Sequence, residues 1–257
     1  MGLGDFLSGL CSGVCDFVSG ALETFCNGVS LVVDGLAGVA RMIGDGIKAI
    51  CDKIGTEGML LIGSIALSLI IPGFGLPEIL SLIQIVGQIA KMFKVGGEDS
   101  PEELGMKTEI ADKKPDDFET IEEYLKYLNE EVKLESGAVD KLTPEEKAKY
   151  GLIGASLDIK AIQEKYHIEL SPDFLRDVTI MKLSGEEVGT YVKDFSEKGI
   201  TKMQDMTDYL RGNPIDSEKR TISTGMLETM KSLYPEMSDE QLEDRLSEME
   251  SKLRSSN

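Results

Sequence analysis

The chain has 257 residues and a formal net charge of −19, with 46 acidic side chains against 27 Lys and Arg, one His, four Cys and no Trp. Negative charge on this scale repels a phosphate backbone, which excludes nucleic acid as a partner and leaves basic partners and solubility as uses for the acidity. The charge is unevenly placed: residues 1–97 hold five basic and eight acidic residues, and the remaining 160 hold 22 basic and 38 acidic ones. This predicts two parts, a glycine-rich amphipathic and apolar helical region over 1–97 and an acidic soluble helical domain over 98–257.

The first element is a stripe. Apolar residues recur as Leu3, Leu7, Leu10, Val14, Val18, Ala21, Phe25, Val29, Val32, Leu36, Val39, Ile43, Ile47, Ile50 and Ile54. The mean spacing of about 3.6 residues is the α-helical period. Asp5, Asp16, Glu23, Asp34, Arg41, Asp45, Lys48 and Asp52 occupy the opposite face. The segment also aligns with itself at an offset of eighteen residues, as in Asp5, Glu23 and Arg41. Eighteen residues make about five helical turns, so duplication and simple amphipathicity both give this offset.

Nine glycines interrupt the stripe, among them Gly9, Gly13, Gly28, Gly35 and Gly38. Each interior Gly costs roughly 0.8 to 1 kcal/mol relative to Ala, so the stretch needs a surface on which to hold a helix. Leu3, Leu7, Leu10, Val14, Phe25, Val32, Leu36, Ile43, Ile47 and Ile50 are the expected membrane- or partner-binding residues. Small residues four apart, such as Gly9 and Gly13, permit the close backbone approach used where membrane helices pack. Glycine at breaks in a soluble hairpin gives the same pattern. Cys11, Cys15, Cys26 and Cys51 fall on one flank of the stripe and read as small packing residues, since no Cys-x-x-Cys metal knuckle is present.

A more apolar element follows. Residues 58–77 are an uncharged run of 20, and Glu78 is the only charge between Glu57 and Lys91. Pro72-Gly73-Phe74-Gly75-Leu76-Pro77 breaks the run, predicting two short helices over 59–71 and 78–93 with Phe74 and Leu76 as the exposed apolar tips of the turn. Such a hairpin serves either as a buried or partner-facing core or as a re-entrant membrane element.

Composition changes abruptly at Lys94–Ser100. Beyond it, Ser100-Pro101, Thr143-Pro144 and Ser171-Pro172 place a capping residue before Pro at the first helical position. Thr120 with Glu123, Thr143 with Glu146, Ser184 with Glu187 and Ser238 with Gln241 fit the capping box. Helices are predicted over 121–132, 144–166, 172–183, 185–198, 202–211, 221–233 and 239–254. No alternating β pattern competes, and the predicted fold class is all-α.

Catalytic machinery is not legible. His167 stands just past a predicted helix end, where a cation faces exposed carbonyls. The pairs Glu102-Glu103, Glu122-Glu123 and Glu186-Glu187 read as solvated helix starts. Gly44-Asp45-Gly46 and Gly73-Phe74-Gly75 lack the preceding strand that gives a phosphate loop its meaning. No catalytic residue, cofactor or metal ligand is predicted.

The Gly-Val, Ser-Gly and Asp-Gly repeats followed by Ile71-Pro72-Gly73-Phe74-Gly75 resemble the membrane-active regions of bacterial secreted effectors and of phage-type ejection or tail proteins. The resemblance covers residues 1 to about 95 and implies delivery into or across a membrane. Two functions are therefore expected to compete. One is a non-enzymatic membrane-associating protein, such as an effector or translocation component. The other is a structural subunit of a helical assembly, self-associating or meeting partner helices through the same stripe. The start Met1-Gly2-Leu3-Gly4-Asp5 lacks a basic n-region, and Phe6 stands where a myristoylation signal needs Ser or Thr. Synthesis in the cytoplasm is expected, with later association with a membrane or a particle.

Overall fold

A computed structural model of the protein describes residues 75–256. The described residues are helical throughout, with nine α-helices: α1 (Leu76–Phe93), α2 (Pro101–Ile110), α3 (Ile121–Glu131), α4 (Pro144–Tyr166), α5 (Pro172–Met181), α6 (Gly185–Glu197), α7 (Gln204–Arg211), α8 (Lys219–Leu233) and α9 (Asp239–Ser255). Extended pairing among them is confined to one parallel bridge between Glu169 and Lys202. The chain divides into two units, Met1–Ala161 and Ile162–Asn257, and the division falls within α4.

Local chemistry sets the helix starts. At Ser100, Thr143, Ser184 and Ser238 the side-chain oxygen accepts from the N3 backbone N–H, while the N3 Glu or Gln accepts from the cap's own N–H. Thr120 makes only half of its expected box. Its hydroxyl accepts from the Glu123 N–H, but the Glu123 carboxylate accepts from Glu119 instead. Ser171 accepts from Phe174 N–H at 3.1 Å. The helix predicted over 78–93 begins two residues earlier, at Leu76. Pro77 is tolerated there because the first helical N–H groups have no intrahelical acceptor, and Glu78 takes the Gly75 N–H at 2.7 Å. Leu76 is accordingly a half-buried residue of the first turn of α1 and not a loop tip, which corrects the expectation drawn from the Pro-Gly break.

In the first unit, α1 buries one face. Ile79, Leu82, Ile83, Ile85, Val86, Ile89, Ala90 and Phe93 are each 6% exposed or less. Ser81, Gln84, Gln88 and Lys91 form its outer side. The composition change at Lys94–Ser100 falls on the turn between α1 and α2, and these two helices pack against each other. Gly87 meets the Pro101 ring, and Gly151 of α4 meets Ile83.

The contact of α2 with α4 is made by backbone. A Cβ at Gly154 would lie 1.8 Å from the Pro101 carbonyl oxygen, and one at Gly105 would lie 2.0 Å from that of Tyr150. Neither obstacle is a side chain that can turn away, so the helices cross at this distance only because both positions are glycine. Gly154→Ala should therefore force α2 and α4 apart and cost about 3 kcal/mol, the upper end of ordinary overpacking. Adding Gly105→Ala should cost less than its own single effect, because the helices have already separated. Urea unfolding midpoints of the two single variants and the double variant check both statements.

In the second unit, α8 packs on α6 and α7, and α9 packs on α5 and α7. The core combines Phe174 and Phe195, both 0% exposed, with Met203, Met206, Met226, Met230 and Met249. Unbranched thioether side chains fill the irregular gaps that short helices of differing direction leave between them. Tyr191 meets Phe195 edge-on, with ring centroids 5.9 Å apart. Between α4 and α5, Glu169 donates its N–H to Thr201 at 2.7 Å and accepts from Met203 at 3.0 Å, tying the connection before α5 to the start of α7.

Candidate functional site

Eleven of the twelve residues expected to bind a membrane or partner, Leu3 through Ile50 and Phe74, lie outside the described residues. Leu76 alone is inside them. Among the described residues one helix, α1, is long and apolar enough to cross a membrane, and half of its span is buried within the protein. Soluble core helices share that length and composition.

The sites that the structure adds are polar. In the second unit Asp177 of α5 is fully buried and receives a fork from Arg211 of α7, with Nη2 2.5 Å from Oδ1 and Nε 3.4 Å from Oδ2. Arg211 Nη1 donates at 2.5 Å to the Leu253 carbonyl of α9, so one guanidinium joins three helices. Arg176 reaches Asp177 Oδ1 from the partly exposed side, at 3.2 Å.

A second network centres on Glu187. Its Oε2 caps Ser184, and its Oε1 accepts from the Tyr234 hydroxyl and the Arg245 guanidinium. Arg245 also donates to the Tyr234 oxygen at 2.7 Å and lies 4.6 Å from the centroid of that ring. Burial pushes the Glu187 carboxyl up, but hydrogen bonds from Tyr234, Ser184 and Arg245 outweigh it and hold the group below its ordinary value. Burial, reinforced by the Glu187 carboxylate, pushes the Tyr234 hydroxyl up to about 12. A carboxylate held by a phenol and an arginine cross-links α6, the end of α8 and α9.

In the first unit, Glu109 of α2 accepts from Lys149 at 3.0 Å and from Tyr150 at 2.6 Å, both on α4. Burial raises its carboxyl, yet these two donors hold it below the ordinary value. Two surface grooves share Asp99. One, of 530 Å³, is lined by Lys94, Gly96, Gly97, Glu98, Glu122, Leu125, Lys126, Asn129 and Glu130. The other, of 420 Å³, runs past Glu103, Lys107 and residues 133–140. Asp99 is bound to Lys107 at 2.5 Å between them. Mixed charges of this kind suit ionic contacts with a polar partner.

His167 follows α4 in the left-handed conformation, with φ 52°, and is exposed, as its position past a helix end predicts. The acidic pairs lie in first turns, Glu102-Glu103 on α2, Glu122-Glu123 on α3 and Glu186-Glu187 on α6, but Glu187 is buried rather than solvated as expected, because Tyr234 and Arg245 close over it. Among the described residues no three His, Cys, Asp or Glu converge to hold a metal ion. The Asp177–Arg211 pair and the Glu187 network carry no local sequence signature, because their members come from different helices. No protein-family model matches the chain, and neither a curated protein nor a solved structure matches it.

Proposed function

We propose that the protein is a non-enzymatic, membrane-associating protein whose N-terminal third inserts in or lies along a bilayer while its acidic helical part stays in water, as in an effector or a translocation or ejection component. The observation that supports this reading is where apolar surface is spent. From residue 75 onward the large apolar side chains turn inward, and those left exposed are Met92 of α1, Ile110 of α2, Leu227 of α8 and Met237 in the loop before α9. Single exposed apolar side chains are ordinary on a soluble surface. The fourteen-turn stripe from Leu3 to Ile54 is the apolar surface that calls for a partner.

A second reading makes the stripe a contact with copies of itself or with partner helices in an assembly. The scarcity of Lys and Arg on the polar face favours it, since Arg41 and Lys48 are the basic residues there, whereas helices that lie on lipid are commonly basic. Flotation of the full-length protein with neutral and anionic liposomes, run beside the Val32→Asp, Leu36→Asp double variant, decides between them. The native chain should float and the variant should stay down, because burial of each mid-stripe side chain is worth about 1.5 to 3 kcal/mol. Equal flotation of both proteins overturns the stripe as the lipid contact. Absence of flotation, with native oligomers on a sizing column that the variant lacks, selects the assembly.

A further inference from the structure

Among the described residues four carboxylates are nearly or fully buried, and three of them are satisfied. Asp177 has two arginines, Asp205 accepts the N–H groups of Asp216 and Ser217 at 3.2 and 2.8 Å, and Glu187 has Ser184, Tyr234 and Arg245. Asp158 of α4 is different. It is 1% exposed, and its Oδ1 has no hydrogen-bond partner among the described residues. An unpaired polar atom inside a folded protein is uncommon and costly.

Asp158 is covered by the turn that ends α1. A Cβ at Gly96 would lie 2.4 Å from its Oδ1, so the carboxyl is pressed against the glycine backbone. Gly96 and Gly97 both have positive φ, 73° and 74°, and both line the 530 Å³ groove open to solvent. The turn is thus a wall one residue thick, with Asp158 on one side and water on the other. It is held by the Asn129 amide, which donates to the Gly96 carbonyl at 2.7 Å, and by the Val95 N–H, which donates to Ala90 at 2.9 Å.

We propose that Asp158 is a protonation latch on this turn: the neutral carboxyl lies beneath Gly96, and loss of its proton to solvent opens the Gly96–Gly97 wall and loosens the end of α1. Among the described residues no group pairs with a buried charge on it. Lys91 of α1 is the charge that acts on the carboxyl, and it does not offset the burial that pushes the group well above the ordinary carboxylate range. On the turn, Lys94 and Glu98 are exposed, and Asp99 is committed to Lys107 of α2. Leu104 is the α2 residue at Gly96, and Asn129 of α3 is neutral, with Lys126 and Glu130 exposed. Three and four positions either side of Asp158, α4 itself carries no charged residue.

A carboxyl whose value is raised on folding makes the closed form most favoured in acid. That advantage is lost as pH climbs from the unfolded value of about 3.9 through the raised folded one. Opening therefore increases with pH, by at most about tenfold per pH unit for a single proton, and levels off once the closed form ionises. The latch is a property of the first unit in solution and stands whichever surface the N-terminal third meets.

Hydrogen exchange of the full-length protein between about pH 5 and about pH 8, corrected for the intrinsic pH dependence of exchange, tests the latch. Protection of the amides from Val95 to Glu98 should fall with rising pH in the native chain and stay level in Asp158→Asn, whose amide is neutral throughout. A level profile in the native protein, or the same slope in both, overturns the proposal. Should Asp158→Asn fail to fold, the native protein decides alone. With aspartate labelled at the carboxyl carbon, a buried resonance that titrates well above the other aspartates, in step with the loss of protection, supports the latch. A full set titrating together in the ordinary range removes it.

Discussion

A chain beginning at residue 98 should fail to give a stable first unit, whereas one beginning at residue 75 should unfold cooperatively. The cut at 98 follows the change in composition, but it removes all of α1 and with it eight core side chains from Ile79 to Phe93. Burial of each large one among them is worth about 1.5 to 3 kcal/mol, so the summed loss is as large as the total stability of an ordinary domain, about 5 to 15 kcal/mol. The loss also opens Ile83's contact with Gly151 and the seat of Pro101 against Gly87. The expected signature in the shorter fragment is binding of an apolar dye and loss of the helicity of α2 and α3. The second unit, whose core is its own helices, should retain a cooperative thermal transition in both fragments. A sharp two-unit transition in the 98–257 fragment would show that α1 is dispensable.

Arg211→Met should destabilise the second unit by about 3 to 5 kcal/mol, because it strands a fully buried carboxylate and one backbone carbonyl together. Arg176 remains beside Asp177 and holds the loss toward the lower figure, but at 3.2 Å from the same Oδ1 it leaves Oδ2 without its donor. Adding Asp177→Leu should recover most of the stability, since an apolar pair removes the stranded charge as well as its partner. Chemical denaturation of the single and double variants distinguishes this from simple loss of packing, in which the second substitution would add to the damage.

How much of this was legible in the sequence depends on whether the signal is local. Ser184 with Glu187 and Ser238 with Gln241 are visible as spacings of three, and the structure makes the bonds that the spacing implies. The 23-residue helix α4 has the predicted limits. By contrast, Ser100-Pro101 announced the start of α2 but the helix itself has almost no apolar stripe. Its buried face is Pro101, Leu104, Gly105, Lys107 and Thr108, and it packs through glycine and a buried ion pair. Asp158 sits between Leu157 and Ile159 and reads as an ordinary polar interruption, since the glycine that covers it lies far back along the chain. Arg211 and Asp177 belong to separate helices and meet only through tertiary packing. Of the predicted site, Leu76 alone falls on described residues, and its place in the first turn of α1 is masked by the Pro-Gly break, which reads as a turn although Pro is admissible near a helix start.

The carboxylates at the helix starts bear on what the protein's acidity means. Glu78, Glu103, Asp117, Glu123, Glu146 and Glu187 each accept a backbone N–H at the beginning of a helical segment, and Asp205 holds two more in the loop before α8. Each such charge faces the positive end of a peptide dipole, and its oxygens are engaged by backbone donors. A count of carboxylates therefore overstates the number of acceptors free to pair directly with a basic partner in contact. For these residues the negative sign is a folding instruction written in the grammar of helix beginnings, and a charge-reversing substitution at one of them would unmake a helix before it altered any encounter.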